Sequence, residues 1–143
     1  MTNSDALAVN SSRKILRRIG AVLGGMIVVV ILDLTMDVIM HATGIFPPWG
    51  QPMSSSLFLI ATTYRAIDGT IGAYVAARLA PDRPFAHALA VGIIGFLLAS
   101  VGAIVTWNMG LGPRWYPIAL IGISLPCACL GGWLRLRQLK ARH

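Results

Sequence analysis

The sequence predicts an all-α polytopic membrane protein with four transmembrane helices, arranged as an antiparallel bundle with both ends in the cytoplasm. Three observations predict it. Of 143 residues, 56% are hydrophobic and only 12% charged, an apolar excess that a soluble domain does not carry. The apolar residues fall into four runs, each close to the roughly 20 residues that an α-helix needs to cross hydrocarbon. The basic residues gather at alternate ends of those runs, as cytoplasmic anchors do.

Residues 1–12, Met-Thr-Asn-Ser-Asp-Ala-Leu-Ala-Val-Asn-Ser-Ser, are small and polar and read as a disordered tail, with one four-helix domain over 13–143. Arg13, Lys14, Arg17 and Arg18 then precede a span over about 19–42. A signal peptide also opens on a basic cluster, but this run is too long, carries Asp33 and Asp37, and lacks an Ala-x-Ala site, so it is expected to be retained. The stretch from Thr43 to Pro52 holds three prolines and two glycines without a charge, which breaks the helix and forms a loop. The second span covers about 55–80. Pro81-Asp82-Arg83-Pro84 makes a tight turn, the third span covers about 85–107, and Asn108 to Pro113 forms the third loop. The fourth span, about 115–134, contains Pro126 and leads into a basic tail with Arg135, Arg137, Lys140 and Arg142.

The first cluster, Arg78 and Arg83 at the second turn, and the tail are placed inside by the positive-inside rule, against no basic residue in the first loop and Arg114 alone in the third. Trp49, Trp107, Trp115 and Tyr116 all fall at the opposite interface, where amphipathic aromatic rings prefer to sit. The net charge of +7 is therefore read as a topology signal, and no nucleic-acid partner is expected. The expected location is a bacterial inner membrane.

Small residues recur at helix-contact spacing: Gly20 and Gly24; Gly69, Gly72 and Ala76; Gly95, Ala99 and Gly102. They predict close helix packing in lipid. Such faces serve equally within the chain, in a homo-oligomer or in a larger membrane complex. Cys127 and Cys129 stand two positions apart on a helix, which suits neither a disulfide framework nor a zinc site; they are expected to be buried thiols, with a soft-metal role the lesser alternative.

Chemistry concentrates on two helices. Asp33, Asp37 and His41 are spaced i, i+4, i+8 and fall within an arc of about 80°. Arg65 and Asp68 are spaced i, i+3 beside Tyr64. Asp33 and Arg65 each lie about nine residues from the outer end of their helices, so both sit about 14 Å deep. Level and on neighbouring helices, they are expected to pair, since an isolated charge there costs about 2.5–3.5 kcal/mol. One arginine cannot neutralise three carboxylates: either Asp37 turns to His41 or to water, or one acid carries a proton, with Asp68, the deepest, the first candidate.

These five residues are the candidate ligand or proton site. One reading is a polar lock that fixes helix register in a structural or accessory protein; the alternative is a proton- or cation-handling transporter subunit. A divalent metal held by Asp33, Asp37, His41 and Asp68 is disfavoured by the adjacent guanidinium. Arg78, Arg83 and His87 are candidate contacts to anionic headgroups. Asp68-Gly69 opens like the CDP-alcohol phosphotransferase signature, but Gly72-Ala73 replaces its Ala-Arg and the later acids are lacking. No phosphate loop, metalloprotease helix or nucleophile elbow occurs, so the sequence leans away from an enzyme, and no cofactor is expected.

Tyr64-Arg65, Arg78-Leu79-Ala80-Pro81, Arg83-Pro84, His87-Ala88-Leu89, Trp107, Trp115-Tyr116-Pro117 and Pro126 together resemble a group of small uncharacterised bacterial four-span membrane proteins over roughly residues 60–133. The resemblance implies an inner-membrane location and no activity, and no site residue is carried over from it.

Overall fold

The computed structural model describes residues 3–110 and 112–141, with side-chain surroundings described from Ser11 onward. Four helices follow one another: α1 (Asn3–Ala42), α2 (Ser55–Leu79), α3 (Pro84–Thr106) and α4 (Trp115–Lys140). Three of them, α1 over Ser11–Ala42, α3 and α4, are long and apolar enough to cross a membrane. The helix α1 begins at Asn3, well before the basic cluster where the sequence places its start, so residues 3–12 of the expected tail are helical here. Ala6, Leu7 and Ala8 favour helix, and extending an existing helix avoids the cost of nucleating a new one. Met1 and Thr2 of that tail lie outside the described residues.

The polar helix is the central one. Tyr64, Arg65, Asp68 and Arg78 dilute the hydropathy of α2, and it is α2 that packs against each of the other three helices. Its buried face is Phe58, Ala61, Tyr64, Asp68, Gly72, Ala73, Ala76 and Ala77. Among the described residues α1 and α4 share no contact, and α1 meets α3 only sparingly. The exterior is apolar instead: Ile31, Leu34, Leu98, Val101 and Ile104 are each more than half exposed. A surface of aliphatic side chains around a core of alanine, glycine and polar groups is the arrangement that hydrocarbon solvates and water does not.

Close backbone approach is made at particular small residues. At the α1–α2 crossing, a Cβ on Gly25 would lie 2.6 Å from the Gly72 carbonyl oxygen, and one on Gly72 would lie 2.7 Å from the Gly25 carbonyl. At the α2–α4 crossing, a Cβ on Gly131 would lie 2.5 Å from the carbonyl of Thr70. Gly20, Gly95 and Gly102 meet nothing within 4 Å, so the expected contact stripe on α3 does not seat a helix. That role on α3 passes to Gly92, packed on Ala128.

The two ends of the molecule are tied differently. At one end Arg18 holds Asp82 through a two-point guanidinium–carboxylate contact, Nε to Oδ1 at 3.0 Å, joining α1 to the α2–α3 turn. The Arg18 hydrogen bonds hold the Asp82 carboxyl below the usual carboxylate range, so it stays ionised at neutral pH. At the same end the Tyr74 hydroxyl donates to Gln138 at 2.7 Å. At the other end the two longer loops meet: Gly110 shares a cavity wall with Trp49 and Pro52, and Gly112 packs on the Phe58 ring. Substituting Gly72 by valine is expected to cost at least about 1–3 kcal/mol by overpacking, whereas Gly95→Ala should be neutral, both measured as thermal unfolding in detergent.

Candidate functional site

The polar cluster forms where α1 and α2 run side by side. Asp37 is its hub: its Oδ2 accepts from Arg65 Nη2 at 2.8 Å, and its Oδ1 accepts from the Tyr64 hydroxyl. Arg65 Nη1 stands 3.7 Å from Asp33 Oδ2, an ion pair without a hydrogen bond. The expected Arg65–Asp33 ion pair is therefore present, but the shorter, hydrogen-bonded partner of Arg65 is Asp37, one helical turn nearer the loops. Side chains lean toward the N-terminus of their own helix. The N-terminus of α2 lies at the loop end and that of α1 at the opposite end, so Arg65 leans toward the loops while the α1 acids lean away from them. That brings Arg65 to Asp37.

His41 does not serve as the partner of the Asp37 carboxylate. Its Nδ1 lies 2.8 Å from the Asp37 carbonyl oxygen, and its ring stacks on Trp49 at 3.6 Å between centroids with Phe46 edge-on at 5.4 Å. His41 therefore clamps the first loop onto the end of α1. Phe46, Ala61 and Tyr64 form a buried group there, with Met36, Met40, Met53 and Tyr116 packed around it, and this group fixes the Tyr64 ring in place for its bond to Asp37.

Asp68 lies on the opposite side of Asp33 from this hub. It is 5% exposed, and its carboxyl is turned toward that of Asp33. Asp68 Oδ2 and Asp33 Oδ1 are buried without a hydrogen-bond partner, as is Arg65 Nε. One guanidinium thus serves two carboxylates, Asp37 by a hydrogen bond and Asp33 by an ion pair, while the Asp33 and Asp68 carboxyl groups are hydrogen-bonding neighbours of each other. Among the described residues no three His, Cys, Asp or Glu side chains form a metal-ligand group.

Arg65 also borders three cavities. One, of about 260 Å³, opens beneath the first loop among Asp37, His41, Trp49, Phe58, Tyr64 and Tyr116. A second, of about 340 Å³, lies under the third loop beside Trp107, Arg114 and Tyr116. The third, of about 290 Å³, is a cleft walled by α1, α3 and α4 and floored by α2, with Asp33 at its polar end and Val30, Gly95, Leu98, Ala99 and Cys127 among its walls.

Tyr64 and Tyr116 are the members that spacing did not single out as site residues. The adjacency of Tyr64 to Arg65, facing acids at i and i+4, is the signal that points to the first; the position of Tyr116 depends on how α4 packs. Arg78, Arg83 and His87 are not drawn into one group. Arg78 donates to the Tyr74 hydroxyl at 3.3 Å, Arg83 adopts a left-handed conformation (φ 43°) just before Pro84, and His87 is 8% exposed with Nδ1 3.2 Å from the Arg83 carbonyl. His87 is mostly buried, beside Arg18, Ile19, Val22 and Ile94 in a shallow groove between α1 and α3.

Comparison with known proteins finds no match to a family model, a curated protein or a solved structure. The site is therefore read from its own geometry. Asp37 satisfies two donors from α2 at once, and removing any one partner leaves a buried charge or acceptor unpaired. Tyr64→Phe is expected to lower unfolding stability by about 1.5–3 kcal/mol, the cost of a hydrogen bond to a charged group. Arg65→Gln is expected to cost about 3–5 kcal/mol, and the double variant Asp37→Asn/Arg65→Gln to recover much of that loss; the double-mutant cycle is read by thermal unfolding in detergent.

Proposed function

We propose that this chain is a small structural or accessory protein of a bacterial inner membrane, in which the Asp37–Tyr64–Arg65 contact locks α1 to α2. The observation that carries this reading is the double acceptor role of Asp37: a carboxylate inside an apolar sleeve, using both oxygens on one neighbouring helix, specifies which helix pairs with which and in what register. In this reading α2 is a fourth span. Its 25 residues rise about 37 Å, more than the roughly 30 Å of a bilayer core, and its charges are sheltered by three apolar helices.

Both termini are cytoplasmic in this reading. The Lys and Arg distribution supports that orientation, and so does the belt of Trp49, Trp107 and Trp115 at the opposite face. The lipid bilayer is the first partner. The apolar exterior and the unfilled glycine stripe on α3 leave room for a second copy or a larger complex.

A second reading, proton or cation handling, is favoured by a specific observation: the Asp33 and Asp68 carboxyl groups are buried neighbours whose only hydrogen-bonding partners are each other, and a lock alone needs neither carboxyl. Purified protein in liposomes under a potassium-diffusion potential separates the two. The lock predicts no potential-driven proton entry above empty liposomes, whereas the second reading predicts entry that is lost in Asp68→Asn. For topology, a C-terminal fusion to a fluorescent protein that folds only in the cytoplasm is expected to be bright and the corresponding alkaline phosphatase fusion inactive; the reverse pattern would sink the proposed orientation.

A further inference from the structure

We propose that Arg78 of α2 and Arg135 of α4 together hold the phosphate of an acidic phospholipid, whose acyl chains lie along the open side of the α2–α4 seam. The inference rests on reading α2 and α4 as membrane spans. It is independent of the Asp37 lock and of the proton- or cation-handling reading.

The two guanidinium groups are brought to one height by the helix crossing beneath them. A Cβ on Gly131 would lie 2.5 Å from the Thr70 carbonyl oxygen and 2.7 Å from the Tyr74 nitrogen, so α4 meets α2 there. Gly69 beside Cys127 and Tyr74 bonded to Gln138 show both helices advancing in the same direction. Arg135 is four residues beyond Gly131 and Arg78 four beyond Tyr74, which at about 1.5 Å per residue places them within one turn of each other. Both lie within electrostatic reach of the Tyr74 hydroxyl, which accepts from Arg78 Nη1 at 3.3 Å and donates to Gln138 at 2.7 Å.

No carboxylate answers this pair. Asp82 is the one acid at that end whose side chain is described, and Arg18 holds it. Arg135 Nε is buried without a hydrogen-bond partner, and among the described residues the side-chain acceptor that Arg78 reaches is the tyrosine hydroxyl. A buried unpaired donor is costly and calls for an acceptor. A phosphate diester offers a negative charge and two free oxygens, and the arginine fork pairs with phosphate through parallel hydrogen bonds.

The surface below the pair is apolar and open. Ile67 and Ile71 share the Tyr74 face of α2, and Leu134 shares the Gln138 face of α4; they are 55%, 40% and 38% exposed. Helix α1, which packs on another flank of α2, makes no contact with α4, so it does not close this side of the seam. Inorganic phosphate would leave those side chains unused. A phospholipid covers them with its chains while its headgroup sits at the interface, where arginine heads at helix ends meet it.

The test is native mass spectrometry of the full chain, released from a nonionic detergent with equal amounts of phosphatidylglycerol and phosphatidylcholine of the same chain length. In about 0.15 M ammonium acetate, exposed charges farther away than about 8 Å are screened. The first phosphatidylglycerol is expected to bind at least about fivefold more tightly than phosphatidylcholine. In Arg78→Gln/Arg135→Gln that preference is expected to vanish, with phosphatidylglycerol bound about tenfold more weakly and the unfolding temperature unchanged. Arg13→Gln/Lys14→Gln, which removes the same charge from the same end, should bind within about twofold of wild type. Arg135→Lys keeps the charge without the planar fork, is expected to bind about threefold more weakly, and keeps the test decisive if the double variant fails to fold. Wild-type binding by either Arg135 variant, or an equal loss in Arg13→Gln/Lys14→Gln, would overturn the proposal. Displacement of the lipid by millimolar inorganic phosphate would overturn it too, by showing an ion site. Topology fusions that read as expected, without any lipid preference, would sink this inference and leave the proposed function intact.

Discussion

The constraint on which the rest of the structure depends is a guanidinium placed where the surroundings are apolar. Arg65 stands ten residues into a helix that starts at Ser55, and a charge enclosed by apolar helices must be answered from within the protein. Asp37 answers it, and in doing so decides that α1 lies beside α2 with Arg65 opposite the turn nearest the loops. Tyr64 adds a second donor from the same helix, so α2 cannot slide by a turn without stranding one of them. The Gly25–Gly72 crossing deeper along the same interface is then in register, and the backbones meet where neither helix carries a side chain.

The polar helix sits at the centre because three apolar helices can shelter it and it could not face lipid alone. The usual relation between hydropathy and burial is therefore inverted. The one helix without a run apolar enough to cross a membrane by itself is buried among alanine and glycine, and the most apolar, α3, turns Leu97, Leu98, Val101 and Ile104 outward. Alanine-rich packing of this kind draws on close backbone contact and dispersion, since lipid tails already solvate aliphatic side chains. It also leaves space, and Arg65 borders three such cavities, two under the loops and one between helices.

Excess acid is what sets this cluster apart from a minimal lock. A lock needs one carboxylate for one guanidinium, and here the Asp37 pair is complete without Asp33 or Asp68. Sites kept for function commonly carry such uncompensated groups, at a cost in stability.

Much of this was legible in the sequence. Composition, run length and loop chemistry determined four helices and their order, since apolar runs and Pro/Gly breaks are local properties of the chain. Helical periodicity likewise put Asp33, Asp37 and His41 on one face and Arg65 with Asp68 on another. Depth alone made Asp33 and Arg65 level, and that ion pair forms; which acid takes the Arg65 hydrogen bond was beyond the sequence, because only the opposed lean of side chains on antiparallel helices brings it to Asp37. The stacking of His41 on Trp49 required the path of the first loop. The fate of the small-residue stripes also needed the third dimension, because Gly92 and Gly95 differ only in whether another helix arrives to fill the space, and spacing along one helix carries no information about where its neighbours diverge.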